Sequence, residues 1–295
     1  MSAASYYAMK RAGTAAEPKR VGNLTTFPEF EQGSDEWFDA RRGLVTASVV
    51  GKLITVGPPA ASSVACPSCN ARPEFPCVSA ARKEPTPIKS LHDARVTAAA
   101  SRPPVYEVAN NETSRGLTST LIAERIAGWT ESGPTTWDMI RGVETEPYAR
   151  DFYSAHYQQA ECVGFMRLDA DDWSLGFSPD GQVGTDGLVE FKAPRARTHL
   201  NTILSGEVPA HYVPQCQAGL LVSGRKWCDF VSFVGGLPVF VKRVYPDPDW
   251  FAVIEAACRA FEVRATEVVA EYREKVRDLP PTIRIDLNTV ELKLA

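Results

Sequence analysis

The chain has 295 residues, 44% of them hydrophobic, which is enough for one sizeable core or for one core with a small satellite. Its 32 Lys and Arg against 36 Asp and Glu give a formal charge of −4, which argues against a chain that coats nucleic acid non-specifically and leaves room for a local basic track beside an acidic metal site. No run approaches the length of a membrane span and the N-terminus lacks the apolar core of a secretory signal, so a soluble cytoplasmic protein with no membrane partner is expected. The seven cysteines are odd in number and unevenly placed, which argues against a secreted disulfide framework.

Residues 1–22 are rich in Ala, Lys and Arg without apolar periodicity and predict a flexible arm. Lys10, Arg11, Lys19 and Arg20 could touch nucleic acid there, although a solvated tail is the simpler reading. In EQGSDEWFDARRGLVTAS, Glu31 to Ser48, Ser34 is an N-cap, Trp37 and Ala40 share a helical face, and Gly43 stops the helix. Thr46 or Ser48 then caps a second helix through Val49, Val50 and Leu53. By position alone, Arg41 and Arg42 are a solvated helix end.

From Thr55 to about Arg115 Pro, Ala and Ser dominate, and the stretch reads as an insertion. It holds CPSCNARPEFPC, then His92 in KSLHDAR. Cys66-x-x-Cys69 is the knuckle spacing at which two thiolates bind one tetrahedral zinc, with Cys77 and His92 completing a Cys₃His set. A module this small has almost no core, so the metal would supply most of its folding energy. The alternative is a disordered loop with incidental thiols. Five Lys/Arg against three Asp/Glu between Cys66 and Arg95 make a mildly basic face. Cys162, Cys216, Cys228 and Cys258, scattered among apolar neighbours, read as small buried hydrophobes.

Leu117 to Gly128 predicts an amphipathic helix, and Trp137 to Tyr157 a longer one with Ile140, Val143, Tyr148, Phe152 and Tyr153 available to the core. Glu144 and Glu146 sit two apart, too far around a helix to share one ion readily. Strands follow at Cys162 to Leu168 and Trp173 to Phe177, about an acidic turn at Asp169 to Asp172. GFSPDGQVGTDGLVEFKAP, Gly176 to Pro194, then describes a hairpin whose last strand sends Leu188, Glu190 and Lys192 to one face and Val189 and Phe191 to the other.

Burying a carboxylate and an ammonium there needs compensation. Asp180 from the turn and Glu190 from the strand can converge as hard oxygen ligands for Mg²⁺ or Mn²⁺, with Lys192 orienting or deprotonating water or stabilising phosphoryl charge. A surface hairpin with a cross-strand Glu–Lys pair is the alternative. Arg195 and Arg197 join Lys192 in a basic cluster suited to DNA phosphates. Short helices at Thr198 to Leu204 and His211 to Gly224, a hairpin of Trp227 to Val234 with Val239 to Tyr245, and a long helix from Asp249 to about Arg277 complete the chain. His156, His199 and His211 have no ligand spacing and read as structural.

Pro179-Asp180 followed by Glu190-Phe191-Lys192 resembles the PD-(D/E)XK nuclease core. SPDG at Ser178 to Gly181 and GLVEFKAP at Gly187 to Pro194 resemble its lambda exonuclease, or YqaJ-type viral recombinase, branch. Glu31 to Ser48 resembles that family's N-terminal motif, the G-x-x-x-E-x-x-A-R of Gly142 to Arg150 its third acidic motif, and Gln215-x-Gln217 its Q-x-Q element. The cysteine stretch with His92-x-x-Arg95 is similar to small zinc modules of phage-encoded proteins.

The resemblance implies an α/β fold with a central mixed β-sheet flanked by helices. It implies an exonuclease core of residues 23–54 and 116–280, an insertion at 55–115 with its zinc module at about 64–95, and a tail at 281–295. It further implies that Glu146 is the helix carboxylate joining Asp180 and Glu190 around one or two Mg²⁺ ions with the Phe191 carbonyl, and that Gln215 bonds the metal water or scissile phosphate. Arg41 would grip a DNA 5′-phosphate with Ser48 near it. The implied activity is 5′ to 3′ digestion of double-stranded DNA from its ends, leaving a 3′ single strand for an annealing protein, by a chain that can form a ring-shaped trimer in a phage host's cytoplasm. An endonuclease of the same fold and a non-catalytic recombination scaffold that binds DNA through the zinc module are the rival readings.

Overall fold

A computed structural model of the chain describes residues 19–21, 23–79, 84–131 and 136–284. The basic residues Lys10 and Arg11 and the tail from Ile285 onward lie outside them. Lys19–Val21 (β1) pairs antiparallel with Leu24–Phe27 (β2), so the end of the expected arm is strand. Asp35–Arg41 (α1) begins where the Ser34 hydroxyl accepts from the Trp37 N–H at 3.2 Å and ends ahead of Gly43, whose φ of +62° favours glycine. Ala47–Val50 (α2) runs into a 3₁₀ turn at Gly51–Leu53.

Ile54–Gly57 (β3) leaves for the inserted stretch, which carries Val78–Ser79 (β4), Thr86–Pro87 (β5) and Asp93–Ala100 (α3). The chain returns as Val105–Val108 (β6), antiparallel to β3 with Ile54 opposite Val108, so the insertion leaves and rejoins on one two-stranded stem. Glu112–Ala127 (α4) starts ahead of the expected Leu117, because Asn111 and Ser114 exchange side chain to backbone bonds in a capping box.

Trp137–His156 (α5) is followed by Ala160–Glu161 (β7), Phe165–Asp169 (β8), Ser174–Phe177 (β9), Gly181–Val183 (β10) and Gly187–Lys192 (β11). Ala196–Ser205 (α6), Val213–Ser223 (α7), Trp227–Ser232 (β12), Phe240–Val244 (β13) and Pro248–Lys275 (α8) complete the described chain. One sheet has the order β1-β2-β8-β9. The other has the order β13-β12-β11-β10-β7, and only its β11–β12 pair is parallel, joined through α6 and α7.

Alternation along β11 divides the core as expected. Leu188 packs in a cluster with Leu220 of α7, Phe230 and Ile254 of α8, while Val189 and Phe191 pack with Val231 and with Ala149 and Tyr153 of α5. Helices therefore cover both faces of a mixed sheet. Gly187 opens β11 against the Trp227 ring, with which a Cβ at that position would collide.

Two expectations are corrected. In α5 only Ala149, Arg150 and Tyr153 are buried; Trp137 is 81% exposed and Ile140, Val143 and Tyr148 are exposed too, Val143 lining an open cleft and not the core. β9, by contrast, pairs backward with β8 about the Asp169 to Asp172 turn, as the two strands predicted there require. Cys216, Cys228 and Cys258 are buried, but Cys162 is exposed in the link between β7 and β8. Gln217 is buried and ties α7 to the start of α8, donating to the Tyr245 carbonyl at 2.9 Å and accepting from the Asp247 N–H at 3.0 Å.

Candidate active site and zinc centre

The turn before β10 puts the Asp180 carboxylate under the backbone of β11, where the Phe191 N–H donates to its Oδ2 at 2.7 Å. One residue back along that strand, Glu190 is only 1% exposed, so its pair with Lys192 belongs to the interior and not to a solvated hairpin face. Lys192 Nζ and the Gln215 side-chain amide, from α7 on the same face of the sheet, both donate to Glu190 Oε1. Glu146 comes from α5. With Asp180, Glu190, Lys192 and Gln215 it lines one cleft of about 650 Å³. A larger cavity of about 810 Å³ between α4 and α8 is lined mainly by apolar side chains such as Ile122, Ile126 and Val268 and contains none of these acids.

Three buried or half-buried carboxylates face two cations, Lys192 and Arg150. Burial and then the neighbouring Asp180 push Glu190 up to about 8. Burial and Asp180 likewise lift Glu146 to about 7, against the pull of Arg150. Burial also raises Asp180, although Lys192 and the Phe191 N–H oppose it. Burial works against the Lys192 charge, yet Glu190 and Asp180 outweigh it and hold the ammonium well above its ordinary range. An all-oxygen donor set with excess negative charge and depressed acidity fits a hard divalent cation, which would relieve the repulsion that protons otherwise relieve.

Arg41 and Ser48 line the same cleft. Arg41 stacks on Trp37, with its guanidinium carbon 4.0 Å from the ring centroid, and its Nη2 reaches the Ser48 hydroxyl at 3.4 Å. Burial lowers it to about 10, so it stays charged at neutral pH. Ser178, which the sequence alone did not single out, accepts from Trp37 Nε1 at 2.8 Å and from Arg41 Nη1 at 3.0 Å. Both hydroxyl acceptor positions are then filled and its own proton is left to donate. Its adjacency to Pro179-Asp180 was the available signal.

Arg195 lines the rim of the cleft, paired with Asp138 at 3.1 Å, whereas Arg197 is exposed and does not line it. Glu144 is exposed on the far side of α5 from Glu146. Of the histidines read as structural, His199 is buried between Ser232 and the Pro238 carbonyl, but His211 lines the cleft beside Tyr212.

The inserted stretch gathers Cys66, Cys69, Cys77 and His92 so that their ligand atoms all lie within 4.8 Å of one another. Cys66 Sγ and His92 Nδ1 are 3.4 Å apart, close to the roughly 3.5 Å edge of a tetrahedron with zinc bond lengths of about 2.3 and 2.0 Å. A bond from the Val78 N–H draws the Cys69 thiol down to about 7, favouring the thiolate. Asn70 and Glu74 make the tight bends, at φ of 57° and 65°.

Arg95, fully buried, holds the module from within. It donates to the carbonyls of Val64 at 2.8 Å, Phe75 at 2.7 Å, Ser62 at 2.7 Å and Arg72 at 3.0 Å, and reaches Cys77 Sγ at 3.6 Å.

Residues 107–226 match the YqaJ-like viral recombinase domain, and residues 32–111 match a phage zinc finger domain to which DNA binding is ascribed. The structure is similar to that of an alkaline exonuclease from Laribacter hongkongensis, at 27% identity and a TM-score of 0.60 over 84% of this chain and 100% of that chain. It is likewise similar to that enzyme in complex with dAMP, at 27% identity and a TM-score of 0.58 over the same shares, 84% and 100%. None of the curated proteins matches the chain.

Proposed function

We propose, for a chain that belongs to the YqaJ-like viral recombinase family and is a DNA exonuclease of that kind, a 5′ to 3′ polarity on linear duplex DNA with Mg²⁺ or Mn²⁺ as cofactor. The product would be a 3′ single strand offered to an annealing protein. The observation that carries this reading is that one cleft contains both the acidic cluster and the Arg41–Ser48–Ser178 group. A phosphate held by that group presents the next phosphodiester to the acids. The Laribacter enzyme's complex with dAMP is a complex with a mononucleotide, the product class such a reaction releases.

Glu146, Asp180 and Glu190, with the Phe191 carbonyl, would hold the ion. When bound it supplies Lewis-acid charge at the phosphate and acidifies a water. Lys192 keeps its proton between Glu190 and Asp180, so its part is to donate to the scissile phosphate as negative charge develops there. Gln215, fixed on Glu190 Oε1, keeps that carboxylate in one orientation and offers its remaining polar atoms to the attacking water or the phosphate. Arg41, pre-set on Trp37 and Ser178, offers a planar fork to the 5′-phosphate, and the Ser48 and Ser178 hydroxyls add donors. Arg195 and the exposed Arg197 meet backbone phosphates further along. The zinc module extends the DNA-binding surface, and a ring of three subunits would keep the duplex enclosed between cuts.

Digestion of a 5′-phosphorylated linear duplex tests the reading. The wild type is expected to release acid-soluble nucleotides with Mg²⁺ and not with EDTA, and Asp180→Ala to lose at least about a thousandfold in rate, the scale on which losing a catalytic metal or its charge stabilisation is felt. Cutting of closed circles would favour the endonuclease; binding without digestion by either protein would favour the scaffold.

A further inference from the structure

The three acids come from two separate parts of the fold. Glu146 is on α5, while Asp180 belongs to the turn before β10 and Glu190 to β11. Arg150, one helical turn beyond Glu146 and only 7% exposed, bonds both parts. Its Nε donates to the Asp180 carbonyl at 2.9 Å and its Nη2 donates to Glu146 Oε1, while the guanidinium carbon lies 5.9 Å from the Phe191 ring centroid.

Nε and Nη2 form one edge of a rigid planar fork. Two oxygens bound to that edge are held side by side at a spacing set by covalent geometry, which the single ammonium of a lysine cannot impose. Arg150 does not line the cleft that contains the acids; it lines a separate cavity further along α5, with Asp151, Ser154 and Cys162. It therefore has no route to the scissile phosphate and acts through Glu146.

We infer that Arg150 is a positioning residue of the metal site, locking the α5 carboxylate to the Pro-Asp-Gly turn and occupying Glu146 Oε1 so that Oε2 is the oxygen left for the ion. This rests on the proposal that Glu146, Asp180 and Glu190 hold the divalent cation. Orienting partners of metal ligands characteristically change metal affinity by about 10- to 100-fold when removed.

The test is Mn²⁺ binding to the full chain, followed by electron paramagnetic resonance, for wild type, Asp180→Ala, Arg150→Lys, Arg150→Met, Glu146→Gln and the Glu146→Gln variants of both Arg150 substitutions. Nucleotide release is titrated with Mg²⁺ in parallel. Arg150→Met and Arg150→Lys are each expected to weaken Mn²⁺ binding about 10- to 100-fold and to raise the Mg²⁺ requirement by a similar factor, with a much smaller change in kcat at saturating Mg²⁺. In the Glu146→Gln background the same substitutions should cost about twofold or less, since the partner through which they act is already altered. Melting curves show which variants fold, and if Arg150→Met does not, the lysine pair carries the cycle.

Wild-type affinity in Arg150→Lys would overturn the inference, because charge without the fork would then suffice. So would an equal loss in both backgrounds. Undiminished Mn²⁺ binding by Asp180→Ala would instead sink the metal-site proposal itself, so the two failures are told apart.

Discussion

Glu190 has the same two donors, Lys192 and Gln215, on one oxygen, and takes up a proton far more readily than an ordinary glutamate. The consequence for pH has a definite sign. In the metal-free chain Glu190 and Glu146 bind protons up to about 8 and about 7, whereas a glutamate in the unfolded chain lets go near 4.5. The folded state thus holds more protons than the unfolded state across that window, and its stability falls as pH rises from 4.5 to 8. A bound cation replaces those protons. The gain in melting temperature on replacing EDTA with Mg²⁺ is therefore expected to be small near pH 6 and to grow through about pH 9; a gain independent of pH would contradict the assignment of these carboxylates to the metal.

At the phosphate end, Arg41→Ala removes a charge-assisted contact worth about 1.5–3 kcal/mol. It should raise KM for 5′-phosphorylated ends by roughly 10- to 100-fold while leaving kcat much less affected, and should abolish the preference for a 5′-phosphate over a 5′-hydroxyl. Steady-state kinetics on the two substrates would measure it, and an unchanged preference would remove Arg41 from the end grip.

At the level of elements, the β10–β11 hairpin was legible because the Gly-Thr-Asp-Gly turn of Gly184 to Gly187 and two-residue alternation are local signals, and alternation alone told which face of β11 would carry Glu190. The zinc cluster was legible for the same reason, three of its four ligands being close in sequence. What escaped depends on contacts between distant segments. The two donors to Ser178 come from Trp37 and Arg41, 141 and 137 residues away. The parallel β11–β12 pairing needs two intervening helices, and the start of α5 carries Trp137 and Ile140 at core-like spacing although both are exposed.

Two element-scale outcomes follow. Gly187→Ala would force a methyl group into the Trp227 ring and is expected to cost about 1–3 kcal/mol by overpacking, seen in denaturant unfolding. It should lower activity as well, because the same strand carries Glu190 and Lys192. In the zinc module, Cys69→Ser or Arg95→Met should lower bound zinc below one per chain, and amide exchange should rise within residues 61–100 while β10 to β12 stay protected. The Arg95 effect is expected because four loop carbonyls lose their donor at once. A full zinc complement in Arg95→Met would show that the metal holds the module unaided.

Across the whole molecule, a net charge of −4 is compatible with DNA as substrate because the charges are segregated. The three acids line a single cleft together with Arg41 and the exposed Arg195. Among the described residues no helix is long and apolar enough to cross a membrane. The zinc module is attached through the β3–β6 stem and leaves the two sheets unbroken.

If end recognition and cutting share that cleft, the first bond broken lies next to the held 5′-phosphate. The direct measurement is a single-turnover digestion of a linear duplex labelled on its 5′-phosphate, with Mg²⁺ added to start the reaction. Labelled mononucleotide is expected as the first product, before any labelled oligonucleotide. Labelled oligonucleotides appearing first, or label retained while the 3′ end shortens, would contradict it.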